Sequence, residues 1–460
     1  MKRGLLGNLI DKSSNELSDI DKLQKIKKSE TIHIGKNNSI ETKLAVLEQT
    51  INKILGKYKN QVDLITNIGD LKKYIDVALE QGVVAIDTET VVGELGKDAL
   101  DTVTCELAGV CLYTPTQKSV YIPVNHIDMY TLERLSNQVS FDDLKEQLLR
   151  LNGIKQIYHN AKYDLKVLHW YLGIDLVHYW DTQIAAQLIN EIESHELKYL
   201  YSKYIEHREE KEYDFNSLFK SIDYRMVPPK IASLYAATDA YITYKLYEYQ
   251  LTMFNTEDFT DIKNVMLDIE MPVLSAIMQM ENNGISLDTN MANELSIKNH
   301  KLLDEKYEEF VKSYEPYNQK IQAYLEKNKD NKLKLPININ SPIQLAILLY
   351  DIMGLVSPDK KKPRGTGIEI IETFKDSVSK AILNYRKTSK LLTTYIDKLP
   401  NEISKRTGRI HANFNQYGAK TGRLSSDNPN LQNIPHDDTR QLFYASDGYL
   451  LVGSDFSLLK

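Results

Sequence analysis

Cysteine is nearly absent: Cys105 and Cys111 are the two in 460 residues, too few for a disulfide framework or a four-thiolate zinc site. No apolar run approaches the roughly 18 to 20 residues of a membrane span, and Met1–Ile10 is too short and mixed for a signal peptide. Nor is there an excess of one charge. Lys and Arg number 57 against 63 Asp and Glu, a net of −6, so total charge does not point to a nucleic-acid partner. These absences argue against secretion, membrane insertion and zinc fingers. What is present is 42% hydrophobic and 26% charged sequence, the balance of an ordinary folded protein. At roughly 150 residues per domain the length suggests about three domains.

Charge is distributed unevenly. Residues 1–60 carry 12 Lys and Arg against 7 Asp and Glu, and read as a basic extension that ends in a helix over Thr42–Lys57, where Leu44, Leu47, Ile51 and Ile54 share a face. From Val62 the pattern becomes mixed. Asp70–Gln81 reads as a helix stopped by Gly82, and Val83–Ile86 as a short strand running into Asp87-Thr88-Glu89. Strands are expected over Thr104–Thr114, Lys118–Val124 and Ile154–Tyr158, and helices over Ala161–Trp170, Thr182–Ile192 and Ile231–Gln250. Strands interleaved with helices predict an α/β fold around a mixed sheet. Beyond about Leu251 the pattern is helical, with long periodic stretches over Glu270–Asn283, Met291–Gln322, Ser341–Tyr350 and Ser379–Leu399. Short strands and turns follow from Arg409, ending in a strand over Tyr449–Asp455. The expected domains are 1–60, 61–250, 251–408 and 409–460.

The chemistry-bearing residues are carboxylates. Asp87 and Glu89 lie two apart on a strand, so both project from one face and can share a cation. Asp164 falls in the first turn of the helix after His159-Asn160, where the helix N-terminus favours its charged form. Tyr235 and Asp239 stand at i,i+4 on one helical face. Taken singly, each acid is more often an N-cap or a solvated charge. Four converging carboxylates would repel unless cations compensated them, and hard oxygen ligands suit Mg²⁺ or Mn²⁺. Two such ions about 4 Å apart support hydrolysis of a phosphodiester, with Tyr235 orienting the attacking water. His126, His169, His178 and His195 lack metal-ligand spacing, and Asp181 reads as a helix cap.

The ordered set Asp-x-Glu, Asn-x-x-Tyr-Asp and Tyr-x-x-x-Asp resembles the three motifs of the DEDDy exonuclease superfamily over about Gln61–Tyr249. Trp180-Asp181-Thr182 and His195-Glu196-Leu197-Lys198-Tyr199-Leu200 look like family connectors. The resemblance implies a ribonuclease H-like fold, 3′-to-5′ release of nucleotides from a single-stranded end, catalysis by Asp87, Glu89, Asp164, Tyr235 and Asp239, and substrate contact by Asn160.

Residues 360–423 carry 15 Lys and Arg against 5 Asp and Glu, the footprint of a nucleic-acid groove. Arg364 stands beside Gly365-Thr366-Gly367, a segment free to approach phosphate. Thr421-Gly422-Arg423-Leu424-Ser425-Ser426 and Pro429-Asn430-Leu431-Gln432-Asn433-Ile434-Pro435 resemble the signature of family A (polymerase I-type) DNA polymerases. Glu270-Met271-Pro272 through Gly284-Ile285, Asn338–Leu345 and Tyr385–Leu391 resemble supporting segments of that family. The resemblance implies a mainly helical thumb followed by the start of a palm, with Arg364, Thr421, Arg423, Gln432 and Asn433 holding a DNA primer–template. Arg423 has a fork of donors, and Gln432 and Asn433 can read acceptors common to every base pair in the minor groove.

Tyr449–Ser457 resembles the first catalytic palm motif, with Asp455 as a ligand of the polymerase metal pair. The resemblance breaks at Leu458-Leu459-Lys460, which implies an incomplete palm and a truncated chain, with polymerisation expected only beside a second polypeptide. The richness in Lys, Asn, Ile and Tyr points to an AT-rich genome and a bacteriophage source, hence a host-cytoplasmic location with no membrane. The leading expectation is the N-terminal portion of a replicative polymerase with a proofreading exonuclease. A free-standing exonuclease with a DNA-binding C-terminal half, and a non-catalytic DNA-binding module, are the alternatives.

Overall fold

The computed structural model describes residues 39–96, 98–208, 218–219, 222–328, 332–419 and 421–454, gathered into two compact units. The first runs to Asn283 and takes back Phe414–Ser425; the second holds Gly284–Asn413 and continues from Ser426.

In the first unit, α1 (Ile40–Leu55) starts at Ser39, whose hydroxyl accepts from Thr42 N, and buries Leu44, Leu47 and Ile51 of the expected stripe, with Leu55 fully buried where Ile54 was expected and Ile54 only partly covered. β1 (Val62–Leu64) leads into α2 (Ile68–Gln81), capped by Asn67 and ended by Gly82 at φ +68°. β2 spans Val83–Val91, the expected apolar run with Asp87 and Glu89 at its end, carried two residues further. The extension forms because β3 (Glu106–Tyr113) pairs antiparallel with it as far as Val91, with a bulge between Glu89 and Thr90. β4 (Ser119–Pro123), β5 (Lys155–Tyr158) and β6 (Trp180–Asp181) complete a six-stranded mixed sheet in the order β1-β4-β3-β2-β5-β6. β2 therefore lies inside the sheet, antiparallel to β3 and parallel to β5. Gly109, paired with Glu89 across the ladder, lets the Tyr121 ring cross the strand: a Cβ there would sit 2.4 Å from its ring atoms.

Helices α3 (Phe141–Leu149), α4 (Ala161–Val167), α5 (Thr182–Ile189), α6 (Leu197–Tyr204), α7 (Pro229–Phe254), α8 (Thr260–Val265) and α9 (Met271–Asn283) surround this sheet. The helices expected to reach Trp170 and Ile192 end earlier as α-helix: α4 continues as a π-turn over Leu168–Leu172, and α5 stops at Ile189. α7 is buried on most of its circumference, as a helix apolar all round must be, and packs across β1 to β5.

The second unit is mainly helical. The run expected as one helix over Met291–Gln322 is two, Thr289–Tyr314 and Asn318–Lys327, because Pro316 sits in an intervening 3₁₀ turn and has no N–H to continue the ladder. Thr289–Tyr314 packs against Ser377–Leu391, and Ser286–Leu287 pairs antiparallel with Phe443–Tyr444. The strand expected over Tyr449–Asp455 does not form in residues 449–454: no neighbouring strand offers them a ladder among the described residues, and Leu450 and Val452 are almost fully exposed. Asp455 lies outside the described residues. No helix among those described is long and apolar enough to cross a membrane.

Candidate active site

The central strand β2 brings Asp87 and Glu89 to one face, and β3 places Cys111 directly opposite Asp87. Ligand atoms of these three residues lie within 4.8 Å of one another. From the other side of β2, α4 delivers Asp164, whose Oδ1 accepts from Thr88 N at 2.9 Å and from Thr88 Oγ1 at 2.6 Å. The fourth acid, Asp239, comes from α7 and pairs with Lys198 Nζ of α6. Its Oδ1 is buried without a hydrogen-bond partner.

The four acids feel one another. Burial pushes Asp87 and Glu89 well above the usual carboxylate range; Asp164, Asp239 and Glu89 add repulsion at Asp87, and Asp239 and Asp164 at Glu89. Burial likewise lifts Asp164 to about 7, opposed by the two Thr88 bonds. Asp239 is also raised by burial, with Lys198 pulling the other way. The donors are carboxylate oxygens in a low-dielectric setting, one of them unsatisfied. This set fits hard divalent cations, which neutralise the repulsion and fill the open oxygen.

Asp181 explains how α4 finds its place. It is buried and caps α5 through Gln183 N and Ile184 N, and it also accepts from Asn160 N at 3.1 Å and Ala161 N at 2.8 Å. Those bonds hold Asn160 in a left-handed conformation at φ +66°, the turn from which Asp164 enters the site. A second clamp acts on the outer side of α4. Lys162 and Lys166 donate to the fully buried carboxylate of Glu281 on α9 at 2.8 and 2.6 Å, and Phe414 N donates to the same group at 2.6 Å. Tyr235 lies one turn before Asp239 on α7, buried edge-on against Phe219, with Lys198 Nζ 5.2 Å from its ring centroid. His126 is a core residue, as its lack of ligand spacing suggested, bonded to Tyr121 Oη and Val227 O.

The expected DNA contacts fare differently. Thr421 and Arg423 are exposed in the first unit, on the Phe414–Ser425 segment that meets α5 through a 2.5 Å bond from Tyr417 Oη to Gln183 Oε1. Gln432 and Asn433 are exposed in the second unit, their backbone held by Asn430 Oδ1 in an Asx turn. Arg364 does not offer a free fork: its guanidinium closes bidentately on Asp351 at 2.5 and 2.8 Å, so the neighbouring carboxylate already holds the donors expected to meet phosphate. Three contributors escaped the sequence reading. Cys111 sits in an apolar run that gives no chemical signal, and Thr88, between Asp87 and Glu89, shows its bond to Asp164 only once α4 is in place. Lys198 stood in view, but only the sheet and α7 reveal that it faces Asp239.

Residues 62–253 match the family described as 3'-5' exonuclease, and residues 300–459 match DNA polymerase family A. DNA polymerase I of Borreliella burgdorferi is 29% identical over 403 residues, covering 86% of this chain and 40% of the relative. DNA polymerase I of Pseudomonas aeruginosa is 30% identical over 413 residues, covering 86% and 42%. The chain thus spans about two fifths of the length of these relatives. Among solved structures, the POL domain of Pol1 from M. smegmatis, in complex with DNA primer-template and dNTP, is similar in fold. Its TM-score is 0.63 and its identity 22%, over 84% of this chain and 59% of that one. The mixed sheet and its acids agree with a ribonuclease H-like exonuclease domain, and domains of these two families generally use divalent metal ions.

Proposed function

We infer function from the premise that this chain belongs to DNA polymerase family A, through residues 300–459, and carries a 3'-5' exonuclease domain at residues 62–253. The reading is that the first unit removes nucleotides from a single-stranded 3′ end of DNA, as the proofreading part of a replicative polymerase. The observation that carries it is the convergence of Asp87, Glu89, Asp164 and Asp239, with an unsatisfied buried oxygen on Asp239.

Asp87, Glu89, Asp164 and Asp239 are the residues that would hold a pair of Mg²⁺ or Mn²⁺ ions. Such ions, when bound, acidify a water and stabilise the leaving 3′ oxygen. The chain's residues do the rest. Thr88 fixes the Asp164 carboxylate through two hydrogen bonds. The buried strand keeps bulk water from screening the charges. The Tyr235 hydroxyl orients the water for in-line attack, its ring fixed by Phe219. Lys198, paired with Asp239, offsets one negative charge whenever the cations leave. Arg423, Gln432 and Asn433 contact the minor groove of the primer–template independently of sequence, and Thr421 and Asn160 contact the strand backbone.

The test is a 5′-labelled single strand incubated with the full chain and Mg²⁺. Stepwise shortening from the 3′ end is expected, abolished by EDTA and slowed more than about a hundredfold by Asp87→Ala or Asp239→Ala. Shortening that survives both substitutions contradicts the reading.

A further inference from the structure

The match to the exonuclease family begins at residue 62, so α1 and the 3₁₀ turn Gly56–Tyr58 after it stand ahead of the matched domain. They are nevertheless part of its core. Leu47, Ile51 and Leu55 are buried in one apolar cluster with Ile86 of β2 and Ala240 of α7. The helix packs on α7, and the Tyr58 ring lies 6.1 Å from that of Tyr241, two residues past Asp239. A second attachment reaches α6. Glu206 lies just beyond that helix, its N–H bonded to Tyr201 O at 3.2 Å. Its Oε1 accepts from Lys57 Nζ at 2.6 Å and from Tyr58 Oη at 3.0 Å. α6 in turn brings Lys198 to Asp239 and over the ring of Tyr235. The two helices fastened by α1 and its turn are thus the two that build the Asp239–Tyr235 side of the site.

We propose that α1, latched through Lys57 and Tyr58 to Glu206, is a positioning element for excision: it sets α6 and α7 against each other and thereby fixes Tyr235 and Asp239, while touching neither strand nor cation. The inference rests on the reading above, in which Tyr235 orients the attacking water, and goes beyond it by giving a role to a segment outside the matched domain. Both ends of the argument are physical. The apolar face of α1 holds the outer side of α7, and the Glu206 carboxylate ties the last turn of α6 to the same segment. A misplacement of about 1 Å at a reacting group costs up to about a hundredfold in rate. Strand binding does not use α1, so loosening the latch falls on kcat and leaves KM where it was.

The experiment measures shortening of a 5′-labelled single strand by the full chain in Mg²⁺, well below the melting temperature, with circular dichroism on every variant to confirm the fold. Ile51→Asp, which unseats α1, and the pair Lys57→Met with Tyr58→Phe, which opens the latch and keeps the ring, should each lower kcat at least about fivefold with KM unchanged. Glu206→Ala should do the same. Glu206→Gln, whose carbonyl still accepts from Lys57 and Tyr58, should keep most of the wild-type rate. The latch variants carry the test should Ile51→Asp fail to fold. A helix that only adds stability predicts a lower melting temperature with wild-type kcat in the folded variants; that result, or a rise in KM in place of the fall in kcat, overturns the assignment. Asp239→Ala is read alongside. Shortening that needs Asp239 but is indifferent to every latch variant overturns the α1 assignment alone. Shortening indifferent to Asp239 overturns the reading and the inference together.

Discussion

Replacing Asp164 by asparagine should stabilise the protein in the absence of metal. The side-chain carbonyl of the replacement can still accept from Thr88 N and Thr88 Oγ1, the two bonds that fix the wild-type side chain, so shape and hydrogen bonding are kept while the charge goes. Asp164 titrates at about 7 in the folded chain and near 3.9 when unfolded; ionising it in the fold therefore withholds up to about 4 kcal/mol above pH 7. The sign follows directly. A carboxyl raised by folding binds its proton more tightly in the native state, so stability is lowest above the folded value and recovers as pH falls from about 7 towards 4. The buried histidines act oppositely. His126 at about 4 and His159 at about 3 are lowered by burial and lose stability as pH drops below about 6.5. Both occur in the two proteins and cancel in the difference. Thermal unfolding in EDTA at pH 8 should then show the Asp164→Asn variant melting higher by on the order of 10 °C, with the gap falling to about a third by pH 5 and nearly gone at about pH 4. Adding Mg²⁺ should raise the wild type far more than the variant. A folded variant that melts no higher than the wild type at pH 8, or a gap indifferent to pH, refutes the claim that burial disfavours the charged form of Asp164.

Other expectations follow from named contacts. Glu281→Leu removes the buried carboxylate that accepts from Lys162, Lys166 and Phe414 N, while Lys162 keeps its bond to Phe414 O, and should cost about 3–5 kcal/mol, read by urea unfolding. Adding Lys162→Met and Lys166→Met should recover much of that loss. Asp181→Ala removes the acceptor of four backbone N–H groups; a loss of about 2–4 kcal/mol is expected, with excision slowed because Asn160 no longer holds the turn into α4. Lys198→Met leaves the Asp239 charge uncompensated, so the metal-free melting temperature should fall by several degrees, on the order of 1–2 kcal/mol, while the rise on adding Mg²⁺ grows.

Short-range spacing made much of this legible. The alternation of Asp87 and Glu89, the first-turn position of Asp164 and the i,i+4 pair Tyr235 and Asp239 each depend on no more than five residues of chain. They were readable because strand and helix periods are fixed by covalent geometry, the two acids being taken as the end of the strand that starts at Val83. What escaped depends on pairings between distant segments. The ladder from β3 carries β2 on through Glu89 to Val91, and an apolar run cannot announce a partner some twenty residues away. Cys111, Thr88 and Lys198 acquire roles only through sheet order and the crossing of α7. Arg364 shows the converse. Its place in a basic stretch marked it for phosphate, yet Asp351, thirteen residues earlier, already engages its fork. Tyr449–Asp455 has the composition of a strand, but composition supplies no neighbouring backbone.

Crystals grown with Mn²⁺ and a short single-stranded 3′ end give the most direct test, through the anomalous signal of manganese. Two peaks are predicted in the first unit, within bonding distance of carboxylate oxygens from Asp87, Glu89, Asp164 and Asp239 and beside the terminal phosphodiester. Peaks elsewhere, or manganese bound while Asp164 and Asp239 remain out of reach, would contradict the account.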